Sequence, residues 1–175
     1  MKKDGFTLIE LLVTMVVLAV VVTATIPVFA RWLPDYRLRA AARDLYSNFQ
    51  LAKTSAMRNS TNCAITFNQA VGGTVYDYVV FADSDNDVEF DAGEQVITQV
   101  RWTDYKDVGF DTTQGGGDGL TFNDNDDGLP SIAFRSNGIP RNNAGGFGAG
   151  TAFLINTKNM TRSVVISAGG NIRIE

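Results

Sequence analysis

Two hydrophobic periods divide the chain. From Phe6 to Ala30 the residues are apolar all round, and Glu10 is the one charged side chain among them. From Leu38 onward the apolar positions thin to Leu38, Ala41, Ala42, Leu45, Phe49, Ala52 and Ala56. That is the 3.6-residue spacing of a helix with one buried face. Arg39, Arg43, Ser47, Gln50 and Lys53 fall largely on the other side. Pro27 and Pro34 are expected to kink or loosen such a helix rather than end it. One helix from Phe6 to about Met57 would extend roughly 75–80 Å at 1.5 Å per residue. Its second half packs on its own body, and its first half needs lipid or other copies of itself.

After Asn62 the period shortens to runs rich in β-branched and aromatic residues. The expected strands are Cys63–Phe67, Val75–Ala82, Gln95–Trp102, Asp107–Phe110, Gly119–Phe122, Ser131–Arg135, Thr151–Asn156, Arg162–Ser167 and Asn171–Ile174, punctuated by Gly, Asn and Asp. Short connections and the lack of a second long helical pattern favour antiparallel pairing. The expected class is therefore α+β, a long N-terminal helix against a C-terminal antiparallel β-sheet domain. The glycine runs at 115–119 and 145–150 lack the Lys-Ser/Thr of a phosphate loop and open no helix, so they read as connections.

The apolar run from Phe6 is long enough to cross a bilayer. Lys2 and Lys3 favour a cytoplasmic N-terminus, and Arg31 and Trp32 suit the far interface. Glu10 is then out of place. A charge at the centre of a membrane helix costs roughly 2.5–3.5 kcal/mol, and less nearer its end. A carboxylate there needs a partner or a purpose.

Composition narrows the chemistry. The 175 residues contain no histidine, which removes histidine triads, histidine metal sites and the commonest general base. The lone Cys63 has no internal disulfide partner and no histidine to activate it. Net charge is −4, unevenly spread. Six basic and two acidic residues lie between Arg31 and Ser60, and thirteen acidic and two basic between Asp83 and Asp127. Five basic residues and one acidic residue follow from Pro130 to Glu175. Such separation suits assembly or anionic ligands as well as simple hydration.

Asp83, Asp85, Asp87, Asp91 and Glu94 occupy positions 1, 3, 5, 9 and 12 of a twelve-residue frame. That spacing is the one used by a calcium loop, where hard oxygen ligands hold Ca²⁺. Val88 stands at the sixth position, where the sharp turn favours glycine, and a strand rather than a helix precedes the frame. A hydrated acidic turn and a Ca²⁺ site both remain open. A second acidic turn, Asn123 to Gly128, has less defined spacing.

Lys2-Lys3-Asp4-Gly5 followed by Phe6-Thr7-Leu8-Ile9-Glu10-Leu11-Leu12 resembles the signal of type IV pilins and type II secretion pseudopilins. The resemblance implies cleavage after Gly5 by a prepilin peptidase and methylation of Phe6. It also implies pairing of Glu10 with the N-terminal amine of a neighbouring subunit, and a helix-breaking role for Pro27. The expected organisation is a leader at 1–5, a transmembrane and assembly half-helix at 6–33, an amphipathic half-helix at 34–61 and a β-domain at 62–175. Residues 45–56, Ile132-Ala133-Phe134-Arg135 with Asn137-Gly138, and the ending from Val164 to Ile174 are similar to the GspH/FimT branch of minor subunits. The ending lacks the cysteine pair of many major pilins.

Some FimT-type proteins bind double-stranded DNA through a C-terminal Gly-Arg-x-Arg turn. Here it reads Gly170-Asn171-Ile172-Arg173, with Asn171 replacing the first arginine. Arg135, Arg141, Lys158, Arg162 and Arg173 are the candidate phosphate contacts. The acidic middle would oppose a duplex on the same face, and ordinary hydrated basic residues are the favoured reading. The resemblance thus implies a structural subunit rather than an enzyme. It would be inserted once in the bacterial inner membrane with its β-domain in the periplasm, and would assemble with other pilin or pseudopilin subunits. Capture of DNA for transformation is the alternative.

Overall fold

The computed structural model describes residues 6–175, apart from the side chains at 24, 26–28 and 104. Gly5 and the side chain of Pro27 therefore lie outside the described residues. The first element is a single helix, α1, Leu8–Asn59, about 78 Å long at 1.5 Å per residue. It runs through Pro34 without ending and stops at Ser60, whose φ of +54° turns the chain out of the helix.

Eleven strands follow: β1 (Asn62–Phe67), β2 (Ala70–Val71), β3 (Thr74–Val75), β4 (Tyr78–Asp83), β5 (Val96–Val100), β6 (Val108–Phe110), β7 (Ser131–Phe134), β8 (Pro140–Arg141), β9 (Gly150–Asn156), β10 (Thr161–Ile166) and β11 (Ile172–Ile174). They form a five-stranded sheet of order β5-β4-β1-β7-β8, a four-stranded sheet of order β11-β10-β9-β6, and a β2–β3 hairpin. Every ladder is antiparallel. The class is α+β, as the two sequence periods imply.

The buried face of α1 is made by Leu38, Ala41, Ala42, Leu45, Phe49, Ala52 and Ala56, each 0–1% exposed. These are the residues the 3.6-period selects. They share one core with Cys63, Ile65, Phe67, Tyr78 and Val80 of the larger sheet and with Ala152, Leu154, Val164 and Ile166 of the smaller. The four alanines leave room for the helix to lie close, and Phe49 fills the centre. Its ring centroid lies 6.3 Å from that of Phe67 and 5.9 Å from that of Phe122. Phe67 and Phe122 stack at 5.2 Å and 15°. Gly150 begins β9 beneath this stack, where an added Cβ would lie 2.3 Å from the Phe122 ring, so a side chain there displaces the aromatic.

The larger sheet is covered on both faces. Odd positions of β1, Cys63, Ile65 and Phe67, face the helix, whereas Ala64 joins a second cluster with Val79, Phe81, Ala133 and Val88. Val88 comes from the β4–β5 turn, so that acidic turn folds over the sheet face opposite α1. Three expected strands differ in extent. Val75–Ala82 divides into β3 and β4, and Gln95–Trp102 ends at Val100 before a 3-10 turn at Trp102–Asp104. Gly119–Phe122 is not a strand and keeps one bridge, Leu120 to Ala152. Gly119 has φ +81°, which breaks the extended backbone, and the Asp118 carboxylate accepts from the Leu120 N–H at 2.8 Å on the side away from β9.

Phe49→Ala removes a fully buried ring between the two sheets. It is expected to destabilise the folded chain by about 3–5 kcal/mol. Denaturant unfolding of the full chain in detergent, followed by circular dichroism, measures this directly.

Candidate assembly helix and acidic turn

At the head of α1, Thr7 is the N-cap and Glu10 sits three residues on. Thr7 Oγ1 accepts from the Glu10 N–H at 3.3 Å, and Glu10 Oε2 accepts from the Thr7 N–H and hydroxyl at 2.9 Å each. This reciprocal pair is a capping box, which satisfies two orphan donors at a helix start. Thr-x-x-Glu is the sequence signature of such a box, which the reading of the sequence above did not use. Phe6 is 88% exposed, and a recess of about 290 Å³ beside Glu10 is lined by Phe6, Ile9, Val13 and Thr14.

Downstream, the side chains at 8–23 are exposed on every side of the helix. They include Leu8, Leu12, Val16, Val17, Val20 and Val21, each more than half exposed. Among the described residues, no helix is long and apolar enough to cross a membrane.

The second candidate is the β4–β5 turn. Asp83, Asp85 and Asp87 each bring a carboxylate oxygen to within 4.8 Å of the others. Asp91 and Glu94 do not join them. Glu94 Oε1 accepts from the Ser84 N–H at 2.8 Å and its hydroxyl at 3.2 Å, while Oε2 accepts from the Asp91 N–H at 3.2 Å. Glu94 thus ties the two ends of the turn together.

Val88 adopts φ +67°, the left-handed conformation that glycine supplies most cheaply. For a β-branched residue this costs about 1–3 kcal/mol. Its side chain is fully buried, which contributes about 1.5–3 kcal/mol in return. Its carbonyl accepts from Thr66 Oγ1 at 3.3 Å and Asn125 Nδ2 at 3.4 Å. The second acidic turn therefore packs on the first, and the Asp127 N–H reaches Glu89 Oε1 at 3.1 Å. Desolvation and the charges of Asp127 and Asp87 hold the Glu89 carboxyl above its usual range.

The five basic candidates are dispersed. Arg135 donates to the Gly145 carbonyl at 2.6 Å, and Arg141 to the Asn86 carbonyl at 2.7 Å, on the acidic turn. Lys158 donates to Ala30 O at 2.8 Å, and Arg173 pairs with Glu175 at 2.6 Å. Arg162 meets Arg39 and Arg43 of α1, with Ile174, around a recess of about 250 Å³. Arg39 is also paired with Asp35. The two helix arginines were read from the sequence only as a polar face, because their meeting with β10 is a long-range contact.

Cys63 is buried on β1, and desolvation first, with the Asp83 charge second, pushes its thiol up to about 12. It stays protonated at neutral pH and is a packing residue. A maleimide reagent at pH 8 is expected to leave it unmodified in the folded chain and to label it on denaturation. Labelling of the folded chain at the denatured rate would show that β1 is open.

Residues 1–26 match the family model described as the prokaryotic N-terminal methylation motif, and residues 41–170 match type II transport protein GspH. No curated protein and no solved structure matches the chain.

Proposed function

The chain belongs to the GspH family of type II transport proteins, and from that premise we propose that it is a minor subunit of a secretion pseudopilus or type IV pilus that assembles through the first half of α1. Pilin and GspH proteins are structural, membrane-anchored components, so the chain's role is that of a pilin-like subunit rather than a catalyst. One observation carries the assembly reading. The helix that seals the body with its second half leaves the described side chains of its first half exposed and mostly apolar, with Glu10 at its head.

In this reading a prepilin peptidase cuts after Gly5, Phe6 becomes the methylated N-terminus, and the apolar half rests in the inner membrane with the body in the periplasm. Assembly then moves that half from lipid into a bundle of like helices. Glu10 meets the ammonium of a neighbouring subunit in a medium of low dielectric, where a charge pair is strongest. Only a correctly staggered neighbour brings that ammonium within reach, so the pair sets register. Before assembly the Thr7 cap holds the carboxylate, and after it the neighbour competes for the same oxygens.

Glu10→Ala is expected to leave the chain folded and membrane-associated while lowering its recovery in sheared filaments at least roughly tenfold, equivalent to about 1.4 kcal/mol. Crosslinking before shearing identifies the flanking subunits in the same experiment. Normal incorporation of the variant would remove Glu10 from assembly.

Capture of double-stranded DNA is the second reading. The clustering of Arg39, Arg43 and Arg162 around one recess favours it. Each phosphate contact adds salt-sensitive affinity without sequence preference. Arg162→Ala is expected to weaken binding of a short duplex at low salt by more than Arg173→Ala does, because Arg173 is already paired with Glu175. Equal, undiminished affinity in both variants would end this reading.

A further inference from the structure

The β4–β5 turn contains a feature that assembly through α1 does not use. Asp83 is 0% exposed. Its Oδ1 accepts from the Asn86 N–H at 2.8 Å, but Oδ2 has no hydrogen-bond partner. A buried acceptor left unsatisfied is costly, and a buried carboxylate more so. Two further carboxylates, Asp85 and Asp87, approach it.

The surroundings do not neutralise this charge. Arg141 is the cation that acts on Asp83, yet its guanidinium donates to the carbonyls of Asn86 and Asn142. Within the turn itself, Asp87 and Glu94 bring further carboxylates rather than a counter-ion. From the adjoining turn, Asp127 and Asp126 add negative charge beside Glu89.

We propose that Asp83, Asp85 and Asp87 form a calcium-binding site that closes the acidic turn over the larger sheet. The donors are all hard oxygens, which suit Ca²⁺ and disfavour softer metals. Oxygens that share one Ca²⁺ at its usual bond lengths lie no more than about 5 Å apart, and the 4.8 Å limit on this triad falls within that span. The partly exposed rim at Asp85 and Asp87 leaves room for water to complete the shell. Val88, at the sixth position, takes the left-handed conformation of the sharp turn although it is not glycine. Its buried side chain fixes the turn to the sheet, so the three carboxylates are held together before any ion arrives. This site stands whether or not α1 assembles as described above.

The test is a calcium chloride titration of the full chain in detergent micelles after EDTA treatment, read by heat and by thermal midpoint, with magnesium chloride in parallel. One saturable calcium event is expected, with a rise in midpoint that grows with calcium concentration. Asp85→Asn should weaken it at least roughly tenfold, as removal of a ligand does. Asp85 is exposed, so this change leaves the core intact, and Asp87→Asn serves as the second variant. Asp124→Asn, exposed on the other acidic turn, should keep the original affinity. Asp83→Asn should abolish the calcium-dependent rise while leaving the calcium-free midpoint unchanged or higher, because it removes the buried charge. No saturable heat up to millimolar calcium in the folded chain would overturn the site. So would undiminished affinity in both Asp85→Asn and Asp87→Asn, and an equal response to magnesium would overturn the assignment to calcium.

Discussion

The fold depends on one stripe of α1. The two main sheets share no ladder, and the 119–123 segment links them by backbone hydrogen bonds to β9 and to Ser131 of β7. They are joined by the core in which Leu38, Leu45 and Phe49 meet residues of both. Polar ties reinforce the seam at its margins. Arg37 pairs with Asp107 at 2.7 Å, Lys53 donates to Gly170 O at 2.8 Å, and the Tyr78 hydroxyl takes part with Asn48 and Asp44. A helix committed in this way from residue 38 onward has no sheet left for its earlier turns. The exposed apolar half is therefore a consequence of where the body ends, and water is a poor solvent for it.

Much of this was legible because helix burial is periodic and local. All seven residues chosen by spacing along α1 are buried, and the strands with alternating apolar residues, β1, β7, β9 and β10, lie within a residue or two of their expected limits. What was not legible depended on side chains that take backbone hydrogen bonds. Gly119 at φ +81°, with the Asp118 carboxylate on the Leu120 N–H, turns the chain where a strand was expected and leaves a single bridge to β9. The short β2–β3 hairpin and β8 were missed because two-residue strands leave no period to read.

The acidic turn shows the same limit from the other direction. Its spacing was visible, but its attachment was not. Val88 looked like a flaw in a glycine position, and it proves to be the anchor, since the sheet face opposite the helix needs an apolar cover. Arg141 was read with the basic C-terminal third, yet it is held by the Asn86 carbonyl. Charge counted along the chain therefore misled about partners. The five basic residues picked out from the sequence do not converge on one face, and Arg141 among them belongs to the acidic region.

The larger sheet consequently separates two tasks. Its face toward α1 is packed by one cluster of side chains, and its face toward the acidic turn by another, with no residue common to both. Changes at sites that share no partners add nearly independently. Ordering of the β4–β5 turn by a cation would then stabilise β1 and β4 without altering how the helix meets its neighbours. The layer between them is the sheet itself, where alternate residues of β1, β4 and β7 look to opposite cores. Any coupling between the two faces has to pass through the register of these three strands, which is fixed by the ladders of β1 to β4 and β7. A one-residue slip would exchange Ile65 and Ala64 between the two faces, and the cost of burying the wrong volumes on both sides holds the register in place.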